Sequence, residues 1–219
     1  MELTTNELAK YLDHTNLQPN ATKADIEKTC EEAKQYQTAS VCVNGYWASF
    51  VTEQLAGTGI ETCVVVGFPL GAMSTASKVA EAKKAIEDGA DEIDMVINIG
   101  ELLGNNDEAV QADIQAVADG VHQKGKILKV ILETSFLNKE QIVKACQLSE
   151  EAKADFVKTS TGFSSAGAKE DDVKIMRETV GDRLGVKASG GIHSRQEALG
   201  MIEAGASRLG VSATVDILK

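Results

Sequence analysis

Short apolar or β-branched runs alternate with amphipathic stretches along nearly the whole chain. The runs lie near 12–15, 40–43, 62–66, 92–97, 127–133, 155–159, 185–189 and 208–212, and each reads as a strand. Between them, apolar residues recur at helical spacing near 22–36, 46–56, 74–88, 107–124, 138–152, 170–179 and 194–204. Thr4 to Lys10 reads as a short leading helix. Asn138 precedes Gln141 and Ser194 precedes Glu197 at capping-box spacing, while Gly89 and Gly205 stand where helix-ending glycines belong. Glu87-Asp88-Gly89-Ala90-Asp91 and Glu203-Ala204-Gly205-Ala206-Ser207 look alike, and each joins a helix to the next strand.

Eight strands alternating with helices imply parallel βαβ units, and eight is the number that closes a (β/α)8 TIM barrel. The reading is one such barrel over 1–219 with a short N-terminal helix, a little below the usual size for the fold. A doubly wound open sheet is the alternative, but no GxGxxG follows the first strand. Side-chain parity separates the two. In the fifth run Leu128, Val130 and Leu132 share one face, and Lys129, Ile131 and Glu133 the other. In the fourth, Ile93, Met95 and Ile97 oppose Asp94, Val96 and Asn98. Asp13, Thr15, Cys42 and Asn44 fall on the polar side of the first two runs, and Lys187 and Ser189 oppose Val186 and Ala188 in the seventh. An open sheet covered by helices would be apolar on both faces. One apolar and one charged face fit a barrel with a polar lumen.

Composition narrows the class only slightly. The chain has 219 residues, 43% hydrophobic and 25% charged, as an ordinary globular protein does. Its net charge of -11 disfavours nucleic-acid and anionic-membrane partners, which select clustered Lys and Arg. No apolar stretch approaches the roughly 20 residues of a membrane span, and Met1-Glu2-Leu3-Thr4-Thr5 does not read as a signal peptide. Cys30, Cys42, Cys63 and Cys146 form no CxxC pair, so reduced thiols in a cytoplasmic protein are expected. His14, His122 and His193 lack metal-ligand spacing, which argues against a metal-dependent enzyme; no cofactor is expected. His14 alternates with Asp13 and Thr15 and should point away from the lumen; His122 lies in a surface pattern and should be solvated.

The inward charged set is then Asp13, Asp94, Lys129, Glu133, Lys158 and Lys187. Paired structural charge is the bland reading for each, and serves Lys129 and Glu133 as well as a functional one. Lys158 and Lys187 differ, because each ends a buried strand and precedes a Gly-rich turn, at the end of a barrel where chemistry is built. Crowding and desolvation lower a lysine pKa, and a neutral amine attacks carbonyls to form a Schiff base. Thr159-Ser160-Thr161-Gly162, Ser189-Gly190-Gly191 and Gly210-Val211-Ser212 end three consecutive strands with glycines and hydroxyls suited to an anion such as phosphate. Any one of these alone is more often just a turn. Cys42 reads as a small filler or pocket wall rather than a nucleophile, since no histidine is placed to activate it.

Several blocks resemble the deoxyribose-phosphate aldolases, class I aldolases of the TIM-barrel fold. They are Asp13-His14-Thr15, Ser40-Val41-Cys42-Val43-Asn44, Val65-Val66-Gly67-Phe68-Pro69-Leu70-Gly71, Gly89 to Asn98 and Lys129 to Thr134. Phe156 to Phe163 and Val186 to Gly191 are the most specific to that family. The resemblance implies reversible cleavage of 2-deoxy-D-ribose 5-phosphate to acetaldehyde and glyceraldehyde 3-phosphate. It implies that Lys158 forms the Schiff base, that Lys187 is the neighbouring ammonium, and that Asp94 joins Lys187 in a proton relay. Gly162, Gly190, Gly191 and Ser212 would hold the phosphate, Asp13, Thr15 and Cys42 would line the sugar pocket, and Thr159 would also bind substrate. The implied partners are small phosphosugars and aldehydes, with neither nucleic acid nor membrane; a homodimer is compatible. Three positions depart from the pattern: Ala213 where a second serine is usual, Gly45 where proline is common, and Phe163 where some members carry lysine. The first would cost the phosphate one side-chain contact. The chain ends at Lys219, and no long tail over the site is expected. The competing readings are a barrel phosphosugar isomerase or lyase whose lysines are merely paired, and a catalytically idle barrel kept for binding.

Overall fold

The structure, a computed structural model, describes residues 2–219. Eight parallel strands close into a barrel in sequence order: β1 (Leu12–Asn16), β2 (Ser40–Asn44), β3 (Glu61–Val66), β4 (Glu92–Val96), β5 (Ile127–Ile131), β6 (Phe156–Lys158), β7 (Gly185–Ser189) and β8 (Arg208–Val211). Ten α-helices accompany them among the described residues: α1 (Thr5–Ala9), α2 (Lys23–Tyr36), α3 (Ala48–Leu55), α4 (Thr75–Glu87), α5 (Ile99–Leu103), α6 (Asp107–His122), α7 (Lys139–Glu151), α8 (Glu170–Val180), α9 (Arg195–Glu203) and α10 (Thr214–Leu218). Every strand and helix expected from the periodicity is present, with ends displaced by one or two residues. Of the three five-residue helices, α5 and α10 were not expected. A single turn buries too few apolar positions to leave a helical period in the sequence. The capping boxes at Asn138–Gln141 and Ser194–Glu197 form, and two more form at Thr4–Glu7 and Thr22–Asp25. Gly89 and Gly205 follow their helices at φ 102° and 114°.

Parity sorts the interior into two regions. Outward residues such as Val41, Val43, Val64, Ile93, Met95, Leu128, Val130, Val157, Val186 and Leu209 join the helices in one buried core. Inside the barrel a small apolar cluster forms from Leu17, Cys42, Cys63 and Val65, with Phe68 packed against it. At the lower end Phe156 fills the lumen beside β7, where a Cβ on Gly185 would come within 2.1 Å of its ring. The Arg208 guanidinium stacks over that ring, 5.9 Å from its centroid.

Two expectations fail for local reasons. β5 ends at Ile131, and Glu133 takes φ 57°, which removes it from the strand alternation. His122 is half-buried rather than solvated: its Nε2 lies 2.9 Å from Asp155 Oδ2, because α6 ends against the loop that enters β6. His14 does point outward, to Glu32 of α2 and Thr214 of α10. No helix among the described residues is long and apolar enough to cross a membrane.

One buried ion pair fixes the outer layer to the barrel rim. Lys78 of α4 is fully buried and donates to Asp113 Oδ2 of α6 at 2.5 Å and to the Val96 carbonyl of β4 at 2.9 Å. Thr75 donates to the other Asp113 oxygen at 2.7 Å. Removing one partner strands a charge in the interior, a loss of about 3–5 kcal/mol, whereas an apolar pair of similar volume is often near neutral. Asp113→Ala should therefore lower the chemical denaturation midpoint sharply, and Lys78→Met with Asp113→Leu should recover most of the loss. Equal losses in both variants would mean that packing volume, not charge, holds this corner.

Candidate active site

The lumen floor is a single ion-pair network. Asp94 is completely buried and is reached by three lysines. Lys158 Nζ and Lys187 Nζ each lie 2.7 Å from Asp94 Oδ2, and Lys129 Nζ lies 2.8 Å from Oδ1. The strand register explains the meeting: Asp94 pairs with Lys129, and Lys158 with Lys187, across neighbouring strands. Gly210 on β8 gives Lys187 room, since a Cβ there would lie 3.1 Å from its Cε. Lys129 has a second carboxylate in Glu92, at 2.7 Å, and Lys187 a second in Asp13. Arg208 ties the outer oxygens of these acids together, at 2.5 Å from Asp13 Oδ1 and 2.9 Å from Glu92 Oε1. Lys158 alone has only Asp94.

Electrostatics follows from this pairing. Burial opposes ionisation of Asp94, but Lys129, Lys158 and Lys187 outweigh it and hold the carboxyl well below its ordinary value. Burial of Lys187 would lower its pKa, but Asp13 and Asp94 raise it instead. The same contest, won by Lys187, Arg208 and Lys129, keeps Asp13 ionised. The sequence suggested two crowded lysines repelling each other; the structure puts a carboxylate oxygen between them, and Lys187 is a firm ammonium. Cys63 is pushed up, first by burial, so its thiol donates to Asp94 Oδ1 at 3.2 Å. Cys42, Cys63 and Asp94 lie close enough to suggest metal ligands, as do Asp13, Cys63 and Glu92. The carboxylates in both groups already serve ammonium or guanidinium partners.

Above the floor opens a cleft of about 460 Å³, and Lys158 is the one lumen lysine that lines it. Thr15, Gly162, Gly190, Gly191 and Ser212 also line it, as the sequence suggested. Asp13, Cys42 and Thr159 do not: all three are fully buried beneath it. Asp13 is consumed by Lys187 and Arg208, and Cys42 belongs to the small apolar cluster. The Thr159 hydroxyl donates to the Ser189 carbonyl at 3.2 Å and accepts from its N–H at 3.1 Å, locking the turns after β6 and β7 together. Glu133 leaves the ammonium cluster and binds the N–H and hydroxyl of Thr161. Ala213 is half-buried and packs against the apolar core; it is not part of the wall of the cleft. Phe163 does line it, edge-on to Phe68 at 5.4 Å between centroids.

Sequence reasoning missed Glu92 and Arg208, and named Thr161 and Ser189 only within the strand-end turns. The first two were within reach, since Glu92 shares parity with Asp94, and Arg208 with Gly210. The turn itself depends on close backbone approach. Gly162, Gly190 and Gly191 have φ of 85°, 82° and 76°. A Cβ on Gly167 would come within 2.2 Å of the Gly190 carbonyl oxygen.

Residues 8–219 match the model of the DeoC/LacD family aldolases. The chain is 58% identical over 212 residues to a deoxyribose-phosphate aldolase of Clostridium botulinum, covering 97% of this chain and 99% of the relative. It is 59% identical over 213 residues to one from Finegoldia magna, with the same coverages. The tetrameric deoxyribose phosphate aldolase from Aeropyrum pernix superposes with a TM-score of 0.92 at 31% identity, covering 98% of this chain and 91% of that one. The aldolase QR15 superposes with a TM-score of 0.92 at 36% identity, over 97% and 94%.

The depressed Asp94 carboxyl links stability to pH. Its ionised form stabilises the fold above its ordinary value of 3.8, and the contribution is lost as pH falls below that value toward the folded one. Asp94→Asn should cost on the order of 3–5 kcal/mol at neutral pH, as for a broken buried pair. It should also flatten the acid loss: thermal midpoints of the variant between about pH 5 and pH 2 should fall less steeply than those of the parent. Parallel curves would show that Asp94 does not anchor the network.

Proposed function

The chain belongs to the DeoC/LacD family of aldolases, and on that premise we propose that Lys158 is its imine-forming nucleophile, with Lys187 and Asp94 handling protons beside it. The enzyme is a class I aldolase that cleaves 2-deoxy-D-ribose 5-phosphate to acetaldehyde and D-glyceraldehyde 3-phosphate, reversibly. One observation carries the assignment of Lys158: among the three lysines of the network, it alone lines the cleft and it alone has a single carboxylate partner. The charge count supports it as well. The network joins Lys129, Lys158, Lys187 and Arg208 to Asp13, Glu92 and Asp94, four cations to three anions. One proton can leave without unbalancing the interior, and Lys158 loses least by giving it up.

The chemistry then runs on named atoms. The neutral Lys158 amine adds to the C1 aldehyde of the open-chain sugar, and loss of water gives a protonated imine. Removal of the proton from the 3-hydroxyl lets the C2–C3 electron pair flow to the imine nitrogen. C3 leaves as the aldehyde of glyceraldehyde 3-phosphate, and the enamine on Lys158 keeps the two-carbon unit. Protonation at C2 and hydrolysis release acetaldehyde and regenerate the amine. Lys187, held as an ammonium 2.7 Å from the Asp94 oxygen that also faces Lys158, is suited to deliver and recover protons with Asp94, through water where the distance requires it. Gly162, Gly190, Gly191 and Ser212 present backbone N–H groups and a hydroxyl for the phosphate. Thr15 lies toward the sugar. Asp13, Cys42 and Thr159 support the pocket from below. Four free, buried cysteines suit a reducing cytoplasm.

Borohydride with acetaldehyde should leave an ethyl group on the peptide that contains Lys158, read by mass spectrometry. A barrel isomerase with merely paired lysines would leave none, and an adduct confined to Lys129 or Lys187 would overturn the assignment. Lys158→Ala should lower turnover by several orders of magnitude with the fold intact by circular dichroism.

Gly167→Ala tests the phosphate turn. The new methyl group must displace the Gly190 backbone, weakening one or two hydrogen bonds to a charged group worth about 1.5–3 kcal/mol each. The Michaelis constant for the phosphorylated sugar should rise roughly tenfold or more, with little change for unphosphorylated deoxyribose. Equal changes for both substrates would place the phosphate elsewhere.

A further inference from the structure

All eight strands turn an ionisable side chain into the lumen: Asp13 from β1, Cys42 from β2, Cys63 from β3, Glu92 and Asp94 from β4, Lys129 from β5, Lys158 from β6, Lys187 from β7 and Arg208 from β8. Cys63 is held as a thiol, and Cys42 lies among Leu17, Val65 and Phe68 with no ion-pair partner. Glu133, above the end of β5, is spent on Thr161. The seven remaining charges form one connected network. In it the Arg208 guanidinium faces the lower end of the lumen, over the Phe156 ring, and is absent from the cleft wall. Arg208 is the neighbour of Lys187 across the sheet but forms no ion pair with Asp94, and its guanidinium holds the second carboxylates of Lys187 and Lys129.

We infer that Arg208 is a positioning residue for catalysis: by supplying the fourth cation, it makes the fully charged network positive by one, and so sets the pH at which Lys158 becomes a free amine. Without Arg208, three ammonium groups face three carboxylates. That balanced network holds the proton on Lys158 more tightly. Asp13 and Glu92 then turn their full charge toward Lys187 and Lys129, which frees Asp94 to pair with Lys158. Removing Glu92 should act in the opposite sense, raising the positive excess and easing loss of the Lys158 proton. The inference rests on Lys158 as the nucleophile.

The test is the rate of reductive alkylation of the intact enzyme by acetaldehyde and cyanoborohydride as a function of pH, with the modified residue mapped. A unit charge in a buried network of this kind moves a neighbour by about one pH unit, or about tenfold in rate on the acid side. Arg208→Met should shift the midpoint upward by about that amount, and Arg208→Lys should leave it near the parent's. Glu92→Gln should shift it downward, and Arg208→Met with Glu92→Gln should return it. Loosened packing would move both single variants in the same direction, so opposite shifts are diagnostic. If Arg208→Met does not fold, Glu92→Gln and Arg208→Lys still decide: a midpoint unmoved or raised by Glu92→Gln overturns the role of Arg208. An adduct that forms on Lys158 with unshifted midpoints rejects this inference alone, whereas an adduct on another lysine rejects the reading of Lys158 as well.

Discussion

The Asp94 carboxylate, fully buried with three lysine ammonium groups within 2.8 Å of its oxygens, is the contact around which the lumen is organised. No one of these charges is tolerable alone in the interior. Together they are tolerable only while their number stays near balance, which brings in Asp13 and Glu92 to pair the lysines and Arg208 to pair those acids. The network constrains the barrel in return. β7 and β8 carry Gly185 and Gly210 on the inward face because Phe156 and the Lys187 stem occupy the space a side chain would need.

Hydrogen bonds among the strand-end turns extend that rigidity to the cleft. Thr159 bonds to Ser189 in both directions, Ser189 Oγ donates to the Ser160 carbonyl at 2.6 Å, and Glu133 holds Thr161. The turns after β6 and β7 thus move as one body. An anion held by their backbone would keep a fixed distance from Lys158, which is what a reaction at the other end of a five-carbon chain requires. Hydroxyls that the sequence offers to a ligand are therefore largely committed to building the frame, and the glycine N–H groups remain for recognition.

Much of this was legible in the sequence because it depends on period and parity. The eight strands, the barrel and the convergence of Asp94, Lys129, Lys158 and Lys187 follow from alternation along single strands. What escaped depends on where alternation stops or on facts between strands. Glu133 lies two residues beyond the end of β5, and a left-handed backbone there redirects a side chain that parity would send inward. Ala213 stands at the start of a single-turn helix and packs in part against the core, a placement that strand parity does not give. Which lysine would be intruded upon by a carboxylate, and which would keep only one, is a matter of register across four strands; no local pattern encodes it.

The asymmetry of the lumen has a chemical consequence. On β2 and β3 the inner face offers thiols and Val65, while β1 and β4 to β8 supply the ion-pair network. A substrate lying over Lys158 would have the ammonium and carboxylate groups beneath it and apolar surface from Leu17 and Phe163 in the cleft wall. Acetaldehyde and the enamine derived from it are small and weakly polar, whereas the cleaved hydroxyl and the phosphate are not. On the proposed mechanism, the apolar surface of Leu17 and Phe163 would shield the nucleophilic carbon of the enamine and leave its protonation to the groups beneath. Arg208 lies outside the cleft wall, so the bias proposed for it would reach the amine without adding a proton donor to the cleft.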